Sequence, residues 1–506
     1  MVFKEYIFFY FIGKYFMTYK NLDEFITYLE SIGELKRIKI PVSSVLEMTE
    51  IQRRMLAIEG PAILFEQVIT ENGANSMPVL VNLFGTVNRV ALALNIKPEG
   101  LKHLGETLAF LRQPEPPGGW KEAMAMLPLL KTIFAMKPNQ VSKAPCQEVI
   151  LTGDDINLKT LPIQTCWPNE AGPLITWPLI VTKAKDSDKV NDYNLGIYRM
   201  QVVDKKTTIM RWLKHRGGAG HYNGYQKDER MPVAVVIGAD PATILAAVTP
   251  VPESISEYQF AGFLRKKAVD LVDCKTIDLK VPAQAEIILE GYINPGEVLP
   301  EGPYGDHTGY YNDIEEFPVF HLTAITMRKN AVYLSTFTGR PPDEPSVLGV
   351  ALNEMFVPLI KQQFPEIVDF YLPPEGCSYR IAIVSIKKSY PGHAKRIMMG
   401  VWSFLRQFIY TKFIYIVDDD INCRDWQDVM WAVSTRMDPS RDITIVTDTP
   451  IDYLDFASPH SGLGSKIGFD ATNKIAPETN RAWGKRLDMD EETKKLVDDK
   501  WKLYGF

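Results

Sequence analysis

Five cysteines in 506 residues, none of them in a C-x-x-C pair, leave little basis for a disulfide framework or a zinc site. Cys146, Cys166, Cys274, Cys377 and Cys423 are scattered and odd in number, which suits reduced thiols in a cytoplasmic protein. A phosphate loop of the G-x-x-x-x-G-K-[ST] type is missing, since "GLGSK" (462 to 466) puts Ser465 where the lysine belongs. H-E-x-x-H and G-x-S-x-G are also missing. "DDDIN" (418 to 422) hints at a calcium loop, but its sixth position is Cys423 and its twelfth Val429, so acidic residues closing a strand explain it better. No basic stripe with interleaved aromatics occurs, and the net charge of -6 argues against general nucleic-acid binding. Long apolar runs are lacking too. "YIFFYFI" (6 to 12) stops at Gly13 and Lys14, short of the ~20 residues of a membrane span, and no small-residue cleavage site follows it. Residues 1–16 read as an upstream extension before a more ordinary start at Met17, with contact to a membrane surface as the alternative.

What is present is a globular composition: 46% hydrophobic, 23% charged, with 35 prolines and 33 glycines spread along the chain. A prior of about 150 residues per domain gives two to four domains. "NLDEFITYLESIGEL" (21 to 35) carries Leu22, Phe25, Ile26 and Leu29 at helical spacing, with Asn21 placed to cap it and Gly33 to end it. "PAILFE" and "MPVLVNLF" are strand-like, so 17–140 reads as an α/β unit, with "RQPEPPGGW" (112 to 120) as a loop. From 141 to 330 short β-branched runs dominate, with one helix expected near 255 to 268. From 331 to 506 strands such as "RIAIVSIKK" and "FIYIVDDD" alternate with helical patterns, an α/β layer arrangement. The fold class is mixed α+β.

Three stretches carry candidate chemistry. "EGPYGDHTGYY" (301 to 311) sets Glu301 and Asp306 around a stiff turn, with His307 beside them. Carboxylates held close push their pKa values apart, leaving one as base and one as acid, though metal ligation or turn polarity would use the same residues. "NLGIYRMQ" (194 to 201) places Asn194 and Arg199 in an apolar run. Strand alternation would send Asn194, Gly196 and Tyr198 to one face and Arg199 to the other. "RWLKHRGGAGHY" (211 to 222) combines cations with glycines that let backbone approach a phosphate, or is a solvated turn. "PESISEYQFAG" (252 to 262) puts Glu253 and Glu257 on one face of a helix.

These stretches, together with "VTPVPES", "STFTGRPPDEPSVLGVALNE", "GHAKRIMMGVWSFLRQF" and "DYLDFASPHSGLGSK", resemble the UbiD-type decarboxylases that use prenylated FMN. The likeness runs from about Met17 to near the C-terminus and is strongest to the branch acting on 4-hydroxy-3-polyprenylbenzoate in ubiquinone biosynthesis. The resemblance implies an N-terminal α/β segment, a central flavin-binding split β-barrel and a C-terminal α/β domain used in oligomer contacts. It implies Mn2+ on Asn194 and Glu257, and prenylated FMN on Ile197, Tyr198, Arg199, Arg211, Trp212, Leu213, Arg216 and Gly217, with K+ as a further ion. It assigns Arg199, Glu301 and Asp306 to catalysis, with Asp306 as proton donor after a covalent adduct with the cofactor has released CO2. It further implies a flavin prenyltransferase as cofactor supplier, a homo-oligomer (a hexamer), and a cytoplasmic protein peripherally associated with the inner face of the cell membrane. Gly217 stands where a related branch has a metal-binding histidine, so the third protein ligand stays open; His215 and His221 are nearby, and the resemblance assigns neither to that place. The chemistry agrees with a cofactor. Direct loss of CO2 from an aryl acid leaves an in-plane carbanion, and acid/base catalysis supplies only ~10²–10⁴-fold. Rival expectations are a decarboxylase of another aromatic or α,β-unsaturated acid, a metal hydrolase built on Glu257, Glu301 and His307, and a non-catalytic scaffold.

Overall fold

The computed structural model describes residues 18–112, 124, 127–187, 189–212, 217–249, 255–404 and 406–505. The expected extension at 1–16, most of the loop at 112–120, and Leu213, His215, Arg216 and Glu253 lie outside them. The first helix, Leu22–Ser31, starts where the Asn21 side chain accepts the Glu24 N–H at 2.9 Å and buries Leu22, Phe25, Ile26 and Leu29. A four-stranded sheet follows, in the order Leu35–Ile38, Ala62–Phe65, Val79–Val81 and Tyr333–Leu334. Its last strand comes from a segment some 250 residues further along, paired parallel to Val79–Val81.

The central sheet has nine strands. Along its path they are Tyr193–Ile197, Leu179–Lys183, Met231–Ile237, Ile287–Glu301, Glu315–Met327, Thr207–Met210, Met200–Val202 and Leu174–Ile175, with Val149–Thr152 paired beside Glu315–Met327. Tyr193–Ile197 opens that order and Met200–Val202 stands next to its far end, yet only Tyr198 and Arg199 separate them in the chain. The three steps from Ile197 to Met200 reach at most about 11 Å, so the sheet has to curl until its edges nearly meet. Every residue of Leu179–Lys183 and all but one of Met231–Ile237 are buried, so these strands are covered on both faces.

The C-terminal layer is a five-stranded sheet ordered Ile367–Tyr371, Ile381–Ile386, Phe413–Asp418, Leu463–Ala471 and Ile443–Pro450. Its three middle strands are parallel and its outer two antiparallel. From the acidic run, Asp418 ends a strand there and Asp420 lies in the turn after it, and both accept from Arg436 at 2.7 Å. The observed class is mixed α+β with a curled central sheet, as the sequence implies. No helix among the described residues is long and apolar enough to cross a membrane.

Helix Glu99–Arg112 packs on helix Glu344–Gln363. The approach is close enough at Gly105 that a Cβ there would lie 2.3 Å from the Met355 carbonyl oxygen, whereas one at Gly349 meets nothing within 4 Å. Gly105→Ala is therefore expected to destabilise by about 1–3 kcal/mol, and Gly349→Ala to stabilise by about 0.5–1 kcal/mol through helix propensity. Thermal unfolding of the two variants should move in opposite directions.

Candidate active site

The closing link of the sheet positions the first charge. The strand ends at Ile197, so Arg199 is not part of its alternation as expected but falls in the link. Its guanidinium lies 5.4 Å from the Tyr304 ring centroid. Four of its five N–H groups are engaged: Nε donates to Glu301 Oε1 at 2.8 Å, Nη2 to Glu301 Oε2 at 3.2 Å and to Asn312 Oδ1 at 2.8 Å, and Nη1 to Asp306 Oδ2 at 2.9 Å. Arg211, just after strand Thr207–Met210, is Arg199's neighbour on the adjoining strand, its N–H donating to the Arg199 carbonyl at 3.2 Å, and its Nη1 reaches the same carboxylate, 2.7 Å from Glu301 Oε2. Its Nη2 donates to Glu315 Oε2 and to the Tyr453 hydroxyl, both at 3.2 Å.

Glu301 closes the long strand Ile287–Glu301 and is 0% exposed. The turn after it is pinned at several points. Asn312 Oδ1 accepts the Tyr304 N–H at 2.9 Å, and the Tyr304 carbonyl accepts the Asn312 N–H at 3.0 Å. Gly302, at φ +100°, adopts a backbone that side chains disfavour. Gly305 sits where any Cβ would lie 2.2 Å from Trp167 Cδ1, and its N–H donates to Glu170 at 3.3 Å. The other Glu170 oxygen accepts the Cys166 and Trp167 N–H groups. Two carboxylates are thus held at fixed positions, and one of them, Asp306, lines a cavity of about 500 Å3 together with Trp167, Tyr310, Phe337, Arg340 and Pro341.

His307 Nδ1 lies 2.7 Å from Asp306 Oδ1, and its Nε2 lies 3.7 Å from Asp452 Oδ2 in the C-terminal layer. Burial alone would raise the Asp306 pKa, but the His307 hydrogen bond and the Arg199 charge hold it well below the usual carboxylate range. Burial likewise opposes a charged His307, and its hydrogen bond to Asp306 together with the nearby Asp452 carboxylate overcomes this and lifts it to about 9.

The residues expected to hold a flavin lie on the same link and beyond it. Tyr198 is buried edge-to-face with Trp212, ring centroids 6.3 Å apart, and Trp212 tilts against Tyr222 at 5.8 Å. Ile197 is half-buried, and Gly217 opens the short helix Gly217–Tyr222. Trp212 Nε1 and Asn194 Nδ2 are buried with no hydrogen-bond partner among the described residues. Orphaned donors of this kind fit a ligand rich in acceptors, as prenylated FMN is.

Asn194 and Glu257 also come together. Glu257 begins helix Glu257–Arg265, capped by Ser256, and its Oε2 accepts the N–H of Leu195, next to Asn194, at 2.8 Å. Burial pushes the Glu257 pKa up to about 7. A carboxylate and an amide oxygen are donors suited to a hard cation such as Mn2+, whose charge would offset that burial. His221 is close, its Nδ1 2.9 Å from the hydroxyl of Thr182, which pairs with Asn194 across the sheet. Glu257, Glu301 and His307 do not gather, and no group of three or more His, Cys, Asp or Glu forms a metal site among the described residues.

The arrangement is thus a curled central sheet carrying the charged cluster, with N- and C-terminal α/β layers. Three models of 3-octaprenyl-4-hydroxybenzoate carboxy-lyase match in sequence: the N-terminal domain over residues 26–108, the Rift-related domain over 139–341 and the C-terminal domain over 346–471. The chain belongs to the UbiD family. It is similar to the vanillic acid decarboxylase of Sedimentibacter hydroxybenzoicus in closed form, at 26% identity over 97% of this chain and 100% of that one, TM-score 0.81. The UbiD-class enzyme HmfF of Pelotomaculum thermopropionicum in complex with FMN is 30% identical over 94% of this chain and 99% of that one, TM-score 0.77. An evolved dimeric form of HmfF in complex with prenylated FMN (prFMN) is 29% identical over 95% and 100%, TM-score 0.74.

Sequence reasoning did not single out Asn312, Glu170, Arg380, Asp452 or Tyr453, all of which brace the cluster. The signals were "DYLDFASPH" and, for Arg380, "FPEIVDFYLPPEGCSYR" (364 to 380), which belong to the resemblance but carry no role by themselves. Glu301→Gln leaves two guanidiniums facing a neutral amide in a buried site. It is expected to cost about 3 kcal/mol or more, a fall of several degrees in Tm, while Asp154→Asn at an exposed ion pair changes little. Thermal scanning of both variants without cofactor checks this.

Proposed function

We propose that the chain is a prFMN-dependent decarboxylase that converts 4-hydroxy-3-polyprenylbenzoate to 2-polyprenylphenol in ubiquinone biosynthesis. The observation that carries the reading is the buried, hydrogen-bonded Arg199–Glu301–Asp306 cluster, whose Asp306 lines an aromatic-walled cavity. Bound prFMN supplies the electron sink that the carbanion needs. Arg199 has one N–H left for a substrate carboxylate, and Glu301, clamped by Arg211, fixes the direction in which it points. Asp306 delivers the proton to the ring carbon. Trp167, Phe337 and Pro341 exclude water from that carbon, so that solvent does not compete for it. Asn194 and Glu257 would hold Mn2+ as oxygen donors, K+ would be a second ion, and a flavin prenyltransferase would supply the cofactor.

The assembly is a homo-oligomer, a hexamer by likeness. In one chain the C-terminal segment exposes Leu487, Leu496, Trp501 and Leu503, and helix Glu491–Lys500 buries no residue, so a further copy has apolar surface to cover. A polyprenyl substrate places the protein in the cytoplasm against the inner face of the cell membrane.

A second reading, a decarboxylase of a smaller aromatic acid, is favoured by the cavity itself. About 500 Å3 holds an aromatic acid with a short substituent, and a long prenyl tail has to leave it.

Protein co-produced with a flavin prenyltransferase is expected to show the mass and absorbance of prFMN and to release CO2 from 3-octaprenyl-4-hydroxybenzoate faster than from vanillate. Asp306→Asn should lower that rate by about 10²-fold or more while cofactor stays bound. Turnover of vanillate alone would replace the substrate, and an absence of flavin would end the mechanism. Glu257→Gln should lose the Mn2+ that the wild type retains through desalting, as metal analysis would show.

A further inference from the structure

We propose that His307 is the proton reservoir that charges Asp306, and that Asp452 is the positioning residue that keeps the His307 ring in that task. The fate of the proton rests on the decarboxylase reading, but the pair itself is a property of the folded chain.

The geometry sets a problem for Asp306. It stands at the cavity, where an acid is needed, yet its carboxylate accepts from Arg199 Nη1 at 2.9 Å, from the His307 backbone N–H at 2.8 Å and from the His307 ring at 2.7 Å. A carboxylate with three donors, two of them on charged groups, holds no proton at neutral pH. The nearest transferable proton is on His307 Nδ1.

The ring is braced on its far side. Asp452 Oδ2 faces Nε2 at 3.7 Å, and Asp452 is itself fixed by Arg380 Nη2 at 2.8 Å and by the Leu454 N–H at 3.0 Å. The charged groups facing His307 are Asp306 with Arg199 behind it, Asp452 with Arg380 behind it, and Asp343 at the start of helix Glu344–Gln363. Three carboxylates against two guanidiniums favour the imidazolium, consistent with a ring that titrates near pH 9.

The proton balance closes. As a substrate carboxylate engages Arg199, Asp306 loses part of the charge that keeps it ionised. The Nδ1 proton crosses to Oδ1, leaving neutral His307. Asp306 passes it to the ring carbon that has lost CO2, where the electron pair of the broken C–C bond becomes the new C–H bond. Asp306 is then a carboxylate again, and His307 regains a proton from water. One proton is taken up per CO2 released.

Histidine-selective 13C NMR on the full-length protein, with the signal assigned by His307→Asn, follows the ring directly. The expected wild-type midpoint is about 9. Asp452→Asn should lower it by about one unit or more, and the alkaline limb of kcat for 3-octaprenyl-4-hydroxybenzoate or vanillate should shift in step. A wild-type midpoint near the ordinary value of about 6.5, or a midpoint and limb that Asp452→Asn leaves in place, overturns the proposal. If Asp452→Asn does not fold, the wild-type midpoint decides alone. A wild type that releases no CO2 from either acid defeats the decarboxylase reading, and the titration still judges the pair.

Discussion

The site depends on one carboxylate held between two guanidiniums. Glu301 is completely buried, and a lone ionised group there would be expensive. Arg199 and Arg211 make it tolerable, and they are neighbours joined by a backbone hydrogen bond: one lies in the two-residue link where the sheet closes, the other follows the end of the adjoining strand. The clamp thus ties the curl of the sheet to the charge state of the site. Asp306 joins through the unused end of Arg199, so the inner cluster has two positive and two negative groups.

Around that cluster the protein places rigid, mostly neutral supports. Asn312 bridges Arg199 to the turn backbone, Glu170 fixes Gly305 against Trp167, and Tyr453 meets Arg211 from the C-terminal layer. The result is a site in which few side chains are free to reorganise, which suits catalysis by fixed electrostatics. The contacts to Asp452 and Tyr453 make the C-terminal layer part of the site, although the carboxylates themselves belong to the central sheet.

Much of this was legible in the chain. The pinned loop around Glu301 and Asp306 could be read because Gly302, Pro303 and Gly305 permit only a turn, and Asn21 announced its helix by cap chemistry. Periodicity located the strands but not their order, so the curl was legible only through resemblance. The alternation argument misplaced Arg199 because the strand stops at Ile197, and nothing local in "NLGIYRMQ" marks that end. Asn312, Arg380, Asp452 and Tyr453 act only through contacts across more than 70 residues, or through a turn whose shape had to be known first. Single-sequence patterns hold no record of such contacts.

The position of Tyr453 has a consequence for how the chain is made. Residues leave the ribosome in order, at about 5–20 per second. Arg199 and Arg211 therefore emerge well before Tyr453 and Asp452, a wait of roughly 10–50 s over some 250 residues. The central sheet is complete only at Met327, so over the roughly 125 residues that remain, about 6–25 s, it can curl and clamp Glu301 while its outer guanidinium edge and His307 have nothing to close against. The nascent protein thus carries a formed but open charged pocket, and the last stretch of translation seals it.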